Sequence, residues 1–512
     1  MRPQRPSAVR LGAVAGLVLA TAPAIATQSN AAAGPGQPAA PTVNVALTGA
    51  ATADTAAAGH GAAAAIDGNA TTTWCPTATS GTLTVDLTRP HRLDGFGITL
   101  LDSAATVTIA AATEPGRFRV AQRDVSVQAG TPAWFRAPAT ARWVRLSADG
   151  AQPPCVGELR ILGDGPSSMI LGHDLSFAVQ EQAAGAVYTD AGRAALPEQI
   201  LVAHGGNYVR LRLWVDPPAG YSDLQSVLTM ARRAKAAGMR LLLDPHYSDF
   251  WADPQKQPIP AAWAGQDLTA LAGTVRTYTR DVLDALAAQG TPADMLQLGN
   301  EIRNGLLWPI GQLDWSTGGG TGWDALGTLL RAAAAGARDA RGATPKLVGH
   351  FDQGGDNAFS RTFFDNIVAQ RVPFDIVGLS YYPFWHGTLS QLRANMNDMA
   401  ARYDRDVAIV ETQYGWTLEN GDRLGNFLWQ QEQVIPGYPA TPDGQLSFIS
   451  DLLSITAAVP GHRGIGVYYW QPEWIPGVGW APGEGTPNDN LTLFDFSGRA
   501  LNSINFADPL AG

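Results

Sequence analysis

The sequence has few cysteines, few charged residues and an excess of acidic over basic ones, and each of these features excludes a class of protein. Two cysteines in 512 residues are too few for a disulfide-framework protein or a zinc-finger array. Charged residues make up 16% of the chain, and its net charge of −10 argues against nucleic acid as a partner. The 45% hydrophobic content, with 15 tryptophans, indicates a globular chain and excludes a disordered one.

Long apolar runs are also missing, because no segment after the N-terminus approaches the ~18 apolar residues of a membrane span. At the N-terminus, basic Arg2, Arg5 and Arg10 precede the short apolar run Leu11–Ala20, and small residues follow. This pattern predicts a signal peptide over residues 1–32, and therefore a secreted protein without a membrane segment after cleavage. An N-terminal anchor helix is the alternative, although the run is short for it. The Ala/Gly/Pro-rich residues 33–42 are interpreted as a linker.

Residues 43–165 have the sequence pattern of a small β-sandwich. Leu83, Val85 and Leu87 alternate with polar residues, which is the period of a strand. Cys75 lies near the start of this segment and Cys155 near its end. In an exported protein this placement predicts a disulfide between them, with two free buried thiols as the alternative.

Residues 166–512 alternate short apolar runs with helical patterns, as in an α/β protein. The eight runs are Met169–Phe177, Tyr208–Val215, Arg240–Tyr247, Met295–Glu301, Lys346–Asp352, Ile376–Pro383, Val407–Tyr414 and Ile465–Pro472. One intervening helix is predicted over Asp223–Ala237, with Ser222 and Gln225 as its capping box and Gly238 at its end. Eight such units predict a (β/α)8 TIM barrel. A doubly wound open sheet is the alternative, but no Gly-rich phosphate loop follows the first run.

Two glutamates end barrel strands, at the face where such barrels keep their active sites. Glu301 ends the fourth run and Glu411 lies at the end of the seventh. A carboxylate at the end of an apolar strand loses hydration, which favours a functional reason for its presence. Two of them could flank a glycosidic bond, one as the acid and one as the nucleophile, with retention if they lie about 5–5.5 Å apart. A structural ion pair is the alternative for either one singly.

Further residues near the strand ends are predicted to contact a sugar. Arg212 has an inward phase in the second run and would keep a nucleophilic carboxylate ionised. Asn300 directly precedes Glu301 and can bind a sugar hydroxyl. The predicted substrate-binding set is Arg212, His246, Asn300, Tyr381, Trp385, Trp416 and Trp470. Indole rings suit the apolar faces of sugars, although ordinary packing explains any one of them alone.

The barrel segment, from about Met169 to Phe506, resembles the endo-β-1,4-galactanases of glycoside hydrolase family 53. The stretches that carry the resemblance are Asn207–Trp214, His246–Pro254, Gly299–Glu301, Asn304–Pro309 and Leu493–Phe496. It implies that Glu301 is the general acid/base and Glu411 the nucleophile of a retaining enzyme. It further implies that the substrate is the β-1,4-galactan of type I arabinogalactan, cut internally to galacto-oligosaccharides. Another retaining β-glycanase of the same clan, a mannanase or cellulase, and a non-catalytic glycan-binding barrel are the alternatives.

The first segment is similar to the discoidin-like (F5/8 type C) modules. The matching motifs are Ala65–Asn69, Thr73-Trp74, Val85–Leu87 and Gly157–Leu159. Such modules bind sugars, and they hold structural calcium near positions that match Asp67 and Glu158. A tethered module of this kind raises the local concentration of substrate, and the barrel would then hydrolyse soluble galactan without it. A spacer without a binding site is the alternative.

A second candidate calcium site lies in the loop after the seventh barrel strand, where some bacterial galactanases bind the ion. The matching residues are Asn420, Asp422, Leu424 and Asn426. Oxygen ligands suit calcium and leucine cannot ligate, so this site would be weak. We expect no required cofactor, with calcium at most structural. We expect a polysaccharide as the partner of a monomeric enzyme, and no nucleic acid.

Overall fold

The computed structural model describes residues 40–217, 221–480 and 484–511. The predicted signal peptide and residues 33–39 of the predicted linker lie outside them, and Thr42, predicted as linker, opens the first strand. Residues 40–511 begin with a β-sandwich and continue with a closed barrel. No helix among the described residues has both the length and the apolar character needed to cross a membrane.

The sandwich consists of seven antiparallel strands. They are β1 (Thr42–Asn44), β2 (Ala50–Ala53), β3 (Ser80–Leu100), β4 (Ala105–Ala112), β5 (Arg119–Val127), β6 (Ala133–Gly150) and β7 (Val156–Asp164). Their order is β1-β7-β3-β6-β4-β5, with β2 paired to β3. Leu83, Val85 and Leu87 are fully buried on one face of β3, as their alternation predicts. The predicted disulfide between Cys75 and Cys155 is confirmed.

Eight parallel strands close the barrel in chain order. They are β8 (Ile170–Asp174), β9 (Tyr208–Leu213), β10 (Arg240–Pro245), β11 (Met295–Gln297), β12 (Lys346–Phe351), β13 (Ile376–Ser380), β14 (Asp406–Thr412) and β15 (Gly464–Tyr469). The last strand pairs with the first, Gly466 opposite Ile170, so the predicted TIM barrel is confirmed. Two short ribbons, Tyr188–Asp190 with Arg193–Ala195 and Gly305–Leu306 with Gly311–Gln312, lie outside it.

The helices pack between successive barrel strands. They are α1 (Ala178–Ala183), α2 (Pro197–Ala203), α3 (Leu224–Ala237), α4 (Leu268–Ala288), α5 (Trp323–Asp339), α6 (Asn357–Ala369), α7 (Leu389–Tyr403) and α8 (Pro442–Ala457). Helix α3 ends at Gly238 as predicted, but the cap at its start is Asp223, whose carboxylate accepts from the Ser226 N–H. The predicted capping role of Ser222 is wrong, because Ser222 has a left-handed backbone (φ 57°) one residue earlier.

The observed strands start within one residue of the predicted runs and end one to four residues before them. The last residues of each predicted run lie outside the observed strand because the backbone turns there. Tyr247, Glu301 and Gln471 all have positive φ (53°, 47° and 46°), which no regular strand allows. These turns place side chains of the apolar runs at the mouth of the barrel instead of in its wall.

Helix α8 joins the barrel to the sandwich. Its residues are buried from Gly444 to Thr456, as expected for a helix that is covered on all sides. On the sandwich side, Ser454 Oγ accepts a hydrogen bond from the Asn44 N–H at 2.9 Å. A Cβ on Gly68 would lie 2.8 Å from Ile455 Cγ2, so only glycine allows this close approach. The two parts form one compact unit.

Candidate active site

A cleft of about 470 Å³ opens at the carboxyl ends of the barrel strands. This is the face where the strand argument places the chemistry. Of the predicted site residues, the cleft lining contains Glu301, Glu411, Arg212, His246, Asn300, Trp385 and Trp470. Tyr381 and Trp416 are not among the lining residues.

The two predicted catalytic glutamates meet in this cleft. Glu411 ends β14 and is buried, and Glu301 follows β11 and is partly exposed. A carboxylate oxygen of Glu301 lies within 4.8 Å of one of Glu411. The left-handed backbone at Glu301 (φ 47°, ψ 55°) turns the chain out of the strand direction at this residue.

The guanidinium that holds Glu411 belongs to Arg210, so the prediction that Arg212 does so is wrong. Arg210 Nη2 donates to Glu411 Oε1 at 2.6 Å, and the same guanidinium also bonds Asp174 and Asp244. Arg212 instead donates to Ser222 Oγ at 3.0 Å and lies between aromatic rings, 4.0 Å from that of Trp251. Both arginines share the inward phase of β9, and only the deeper one reaches Glu411.

Burial and neighbouring charges set the protonation states of the two glutamates. Burial raises the pKa of Glu301 well above its ordinary value, and the charge of Glu411 adds to the rise. Burial also raises the pKa of Glu411, to about 7, against the opposing effects of Arg210 and the Tyr382 hydroxyl. Because the Arg210 guanidinium donates to Glu411 at 2.6 Å, a single negative charge on the pair is best placed on Glu411, with the proton on Glu301.

A hydrogen-bond relay fixes the orientation of Glu301. His350 Nδ1 accepts from Gln297 Nε2 (2.9 Å) and from the Glu301 N–H (3.2 Å), so the ring proton is on Nε2. Nε2 then donates to Ser380 Oγ (2.9 Å), whose hydroxyl donates to Glu301 Oε1 (2.7 Å). Because Oε1 accepts this bond, the acidic proton belongs on Oε2.

Among the described residues, Glu301, His350 and Glu411 are the one set of three His, Cys, Asp or Glu side chains whose ligand atoms converge enough to hold a metal ion. The relay does not fit such a role. Both ring nitrogens of His350 are already used in hydrogen bonds to protein groups, so the imidazole has no free lone pair for a metal.

A second buried histidine supports the floor of the cleft. His246 Nδ1 accepts from the Ala252 N–H at 3.1 Å, and its Nε2 lies 3.2 Å from Asp244 Oδ2. Burial opposes the ionisation of Asp244, but Arg210 and His246 outweigh it and lower its pKa to about 2. Asn300 Oδ1 accepts from Arg210 at 3.0 Å. These predicted cleft residues therefore also hold one another in place.

The tyrosine that lines the cleft is Tyr382, one position after the predicted Tyr381, which lies outside the cleft. Tyr382 OH donates to Glu411 Oε2 at 3.1 Å, whereas Tyr381 OH donates to the Gly387 carbonyl outside the cleft. Ser380 donates to Glu301 and Tyr382 has the same phase, so the regular alternation of β13 continues into the cleft. The irregularity lies on β14, where Ile409 and Glu411 pair with the successive residues Leu379 and Ser380.

Tryptophans line the cleft in two groups. The rings of Trp251 and Trp480 stack with centroids 4.6 Å apart, and Trp470 lies beside them. Trp385 is 54% exposed and contacts the ring of Phe427 edge-on. The predicted contact of Trp416 with substrate has no support in the structure, because its ring packs against Phe496 at 4.8 Å.

The paired glutamates on a TIM barrel agree with the comparison of the chain with known families. Residues 170–507 match the sequence profile described as glycosyl hydrolase family 53. The chain belongs to this family. The sandwich, over residues 50–158, matches the F5/8 type C domain.

Relatives of this family 53 hydrolase cover the barrel. An uncharacterized protein of Niallia circulans is 42% identical over 66% of this chain and 93% of its own length. A protein named arabinogalactan endo-beta-1,4-galactanase, of Thermothelomyces thermophilus, is 35% identical over 65% of this chain and 97% of its own length. The solved GH53 catalytic domain of Ignisphaera aggregans is 36% identical, with a TM-score of 0.63, over 68% of this chain and 97% of that domain.

The side chains of the predicted calcium loop in this family 53 chain form hydrogen bonds within the loop and with neighbouring residues. Asp422 already accepts from the backbone N–H groups of Leu424 and Thr486. Asn420 donates through its amide to the Leu424 carbonyl, and Asn426 donates to Asp489 Oδ1 at 2.9 Å. Asn420 Oδ1 accepts from the Asp422 N–H, whereas Asn426 Oδ1 is buried without a hydrogen-bond partner. Asp489, which sequence reasoning missed, lies 63 positions from Asn426 in the chain.

The sandwich has oxygen atoms near Asp67 that suit calcium better than those of the loop after β14. Asp67 Oδ2 and the carbonyls of Ala64 and Asn69 all lie within 3.3 Å of Thr72 Oγ1. The Asn69 carbonyl also accepts from the Thr72 N–H, and the one hydroxyl proton can satisfy only one further acceptor. At least one oxygen of Ala64 or Asp67 is therefore available to a cation such as calcium. Glu158 is fully buried nearby and accepts from the Gly68 N–H.

The relay to Glu301 predicts a shift in the pH profile of a Ser380→Ala variant. The Ser380 hydroxyl favours the ionised form of Glu301, so its removal should raise the pKa of that carboxyl. A general acid must be protonated to act, so with Glu301 in that predicted role the alkaline limb of kcat/KM should move to higher pH while the acid limb stays. The measurement is kcat/KM against pH for the two proteins. An alkaline limb that stays in place or moves to lower pH would contradict this positioning role.

Proposed function

We propose that this protein is a secreted, retaining endo-β-1,4-galactanase that acts on type I arabinogalactan. The observation that carries the proposal is the distance between the two glutamates, whose oxygens approach within 4.8 Å. This separation matches retaining glycosidases, whereas inverting ones keep their carboxyl groups about 6.5–9.5 Å apart to hold a water.

The geometry supports a double displacement. Glu411 attacks the anomeric carbon and forms a glycosyl-enzyme ester, while Glu301 gives its proton to the departing glycosidic oxygen. Glu301, now ionised, then removes a proton from water as the water attacks the same carbon and releases Glu411. Two inversions at one carbon leave its configuration unchanged. Arg210 and Tyr382 donate to the Glu411 carboxylate and favour its ionised form before attack and after release.

The substrate assignment is supported by the family and by the cleft. The Thermothelomyces relative is named for its action on arabinogalactan and is matched over nearly its whole length. The tryptophans of the cleft provide flat surfaces for the apolar faces of sugar rings. An open cleft along the barrel face suits attack within a chain. Secretion after signal cleavage and action as a monomer stay predictions from the sequence.

The test of this function is the release of reducing sugar from debranched β-1,4-galactan, with β-mannan and carboxymethylcellulose assayed in parallel. We expect short galacto-oligosaccharides from galactan alone, and NMR should show the β-anomer as the first product. Activity on mannan or cellulose without activity on galactan would show that the substrate is another glycan, one cut by other enzymes of the same clan. A first product with the α-anomer would contradict retention.

We also propose that calcium, where bound, is structural and held by the sandwich at Asp67 and its neighbours. Chelation with EDTA should lower the unfolding midpoint and leave kcat on soluble galactan at room temperature unchanged, because the barrel chemistry uses no ion. An Asp67→Asn variant should lose this sensitivity to EDTA. The matched Asp422→Asn variant should keep it. The reverse pattern would place the ion in the barrel loop, and no effect of EDTA on any variant would contradict a calcium site.

A further inference from the structure

A crevice of about 300 Å³ lies where the sandwich meets the barrel, next to the catalytic cleft. Asn69 and Thr71 line it from the sandwich, and residues of the loop after β13 line it from the barrel. Trp385 belongs to the lining of both the crevice and the cleft, so the two depressions share a wall. Its volume is at the lower end of the range for ligand pockets.

An aromatic surface connects the two depressions. Tyr382 donates to Glu411 in the cleft, and the adjacent Tyr381 lines the crevice. The Trp385 ring lies 5.6 Å from that of Tyr382 and 6.0 Å from that of Phe384 in the crevice. With 54% of its surface exposed, Trp385 is available to a ligand that passes from one depression to the other.

The sandwich wall of the crevice is held in place by the barrel. Asn69 Nδ2 donates to Ser390 Oγ at 3.1 Å, and Arg393 donates to the Asp67 carbonyl at 3.0 Å. The Thr71 hydroxyl donates to Asn69 Oδ1 at 2.7 Å. This bond uses the only hydroxyl proton of Thr71, so its oxygen remains able to accept from a ligand hydroxyl. A wall fixed in this way costs little to order on binding.

We propose that the crevice is an outer sugar-binding subsite, built jointly by the sandwich and the barrel. A galactan chain that leaves the cleft crosses Trp385 and places a further sugar between Phe384 and the Thr71 loop. The chemistry suits a sugar, with an aromatic wall for its apolar face and a hydroxyl acceptor at the rim. The inference rests on the proposed function, because it takes the ligand to be the same chain that the glutamates cut.

The proposal gives the sandwich a role that depends on the length of the substrate. Only a chain long enough to fill the cleft and extend past Trp385 gains contacts with the Thr71 loop. Short galacto-oligosaccharides bound at the glutamates do not reach it. The sandwich would therefore act as one end of the cleft itself, in place of a separately tethered binding module.

The test uses tryptophan substitutions that fill the crevice from its sandwich wall or from its barrel wall. In Thr71→Trp and Ile435→Trp the new ring occupies it, from the sandwich and from the barrel respectively. We expect a roughly three- to tenfold higher KM for long galactan in both variants, with kcat near the wild-type value. The KM for galactotetraose should stay near the wild-type value. The matched control is Ser126→Trp, at an exposed position of β5 in a separate groove of the sandwich.

Any result other than the expected one contradicts the proposed subsite. The subsite is overturned if a crevice variant with the wild-type unfolding midpoint has an unchanged KM for long galactan. It is also overturned if KM rises equally for long galactan and for galactotetraose. A rise only in Ser126→Trp would place polymer binding on another face of the sandwich. Calorimetric titration of long galactan into Glu411→Gln proteins, with and without Thr71→Trp, should reproduce the weakening. Failure of the proposed function is distinguishable, because the wild-type enzyme would then leave galactan uncut before any variant is compared.

Discussion

Replacing Glu411 with alanine should reduce turnover of galactan on the order of 10⁴- to 10⁶-fold, as loss of a catalytic nucleophile does in other hydrolases. In the proposed double displacement this side chain forms the covalent bond to the sugar, and one of its oxygens lies within 4.8 Å of an oxygen of Glu301. Addition of azide to Glu411→Ala should restore turnover of an aryl galactoside. Azide then attacks from the face that Glu411 leaves open and gives the α-galactosyl azide.

The Glu301→Ala variant distinguishes the role of general acid/base from that of nucleophile. In Glu301→Ala the glycosyl-enzyme still forms from substrates with good leaving groups, and azide should intercept it to give the β-azide. The matched control is Glu419→Gln, an exposed carboxylate in the loop after β14, which should behave as wild type. An α-product from Glu301→Ala and a β-product from Glu411→Ala would exchange the two assignments. Near-normal galactan turnover by Glu411→Ala without azide would contradict the nucleophile outright.

The sequence was sufficient for the barrel and for the place of the two glutamates in its cleft, because both depend on local pattern. Apolar runs of strand length, separated by helices, determine the number and the start of the barrel strands. A carboxylate at the end of such a run is visible without knowledge of its neighbours. Glu301 and Glu411 could therefore be chosen before the distance between them was known.

The partners of these glutamates could not be predicted from the sequence because they depend on depth and register. Arg210 and Arg212 have the same phase, and only the stagger of the barrel decides which one reaches Glu411. Tyr382 is different, because it follows the alternation of Ser380 on β13, which the sequence could have indicated. His350 and Ser380 form one relay although they lie on different strands, and no spacing in the sequence joins them.

The junction of the two domains was also invisible, because its central ion pair joins residues 291 positions apart. Arg160, on β7, bonds Asp451, on α8, through Nε and Nη2 at 2.7 and 2.6 Å. Both side chains are 1% exposed. Tyr438 OH donates to the same carboxylate at 2.7 Å and accepts from the Ala70 N–H. The sequence indicated a tethered module, and the structure gives it a buried, hydrogen-bonded contact with the barrel.

Breaking this pair should destabilise the whole protein. Arg160→Met leaves the Asp451 carboxylate buried without its counter-charge, which costs about 3–5 kcal/mol in comparable sites. The double variant Arg160→Met/Asp451→Leu should recover most of this loss, because an apolar pair of similar volume carries no desolvation penalty. The measurement is a double-mutant cycle of unfolding free energies. Arg142→Met is the matched control, since it removes a similar but solvent-exposed pair with Asp86 and should change stability little.

The same contact predicts the fate of the barrel alone. Removal of residues before Met169 would expose the sandwich-facing side of α8 and leave Asp451 and Ser454 without the partners Arg160 and Asn44. We therefore expect the isolated barrel to aggregate or to unfold at a much lower temperature, with Asp451→Leu in the truncated chain restoring part of the loss. A truncated barrel with the wild-type unfolding midpoint and full activity on galactan would show that the sandwich is only a tethered module. It would also remove the physical basis for a subsite shared between the two domains.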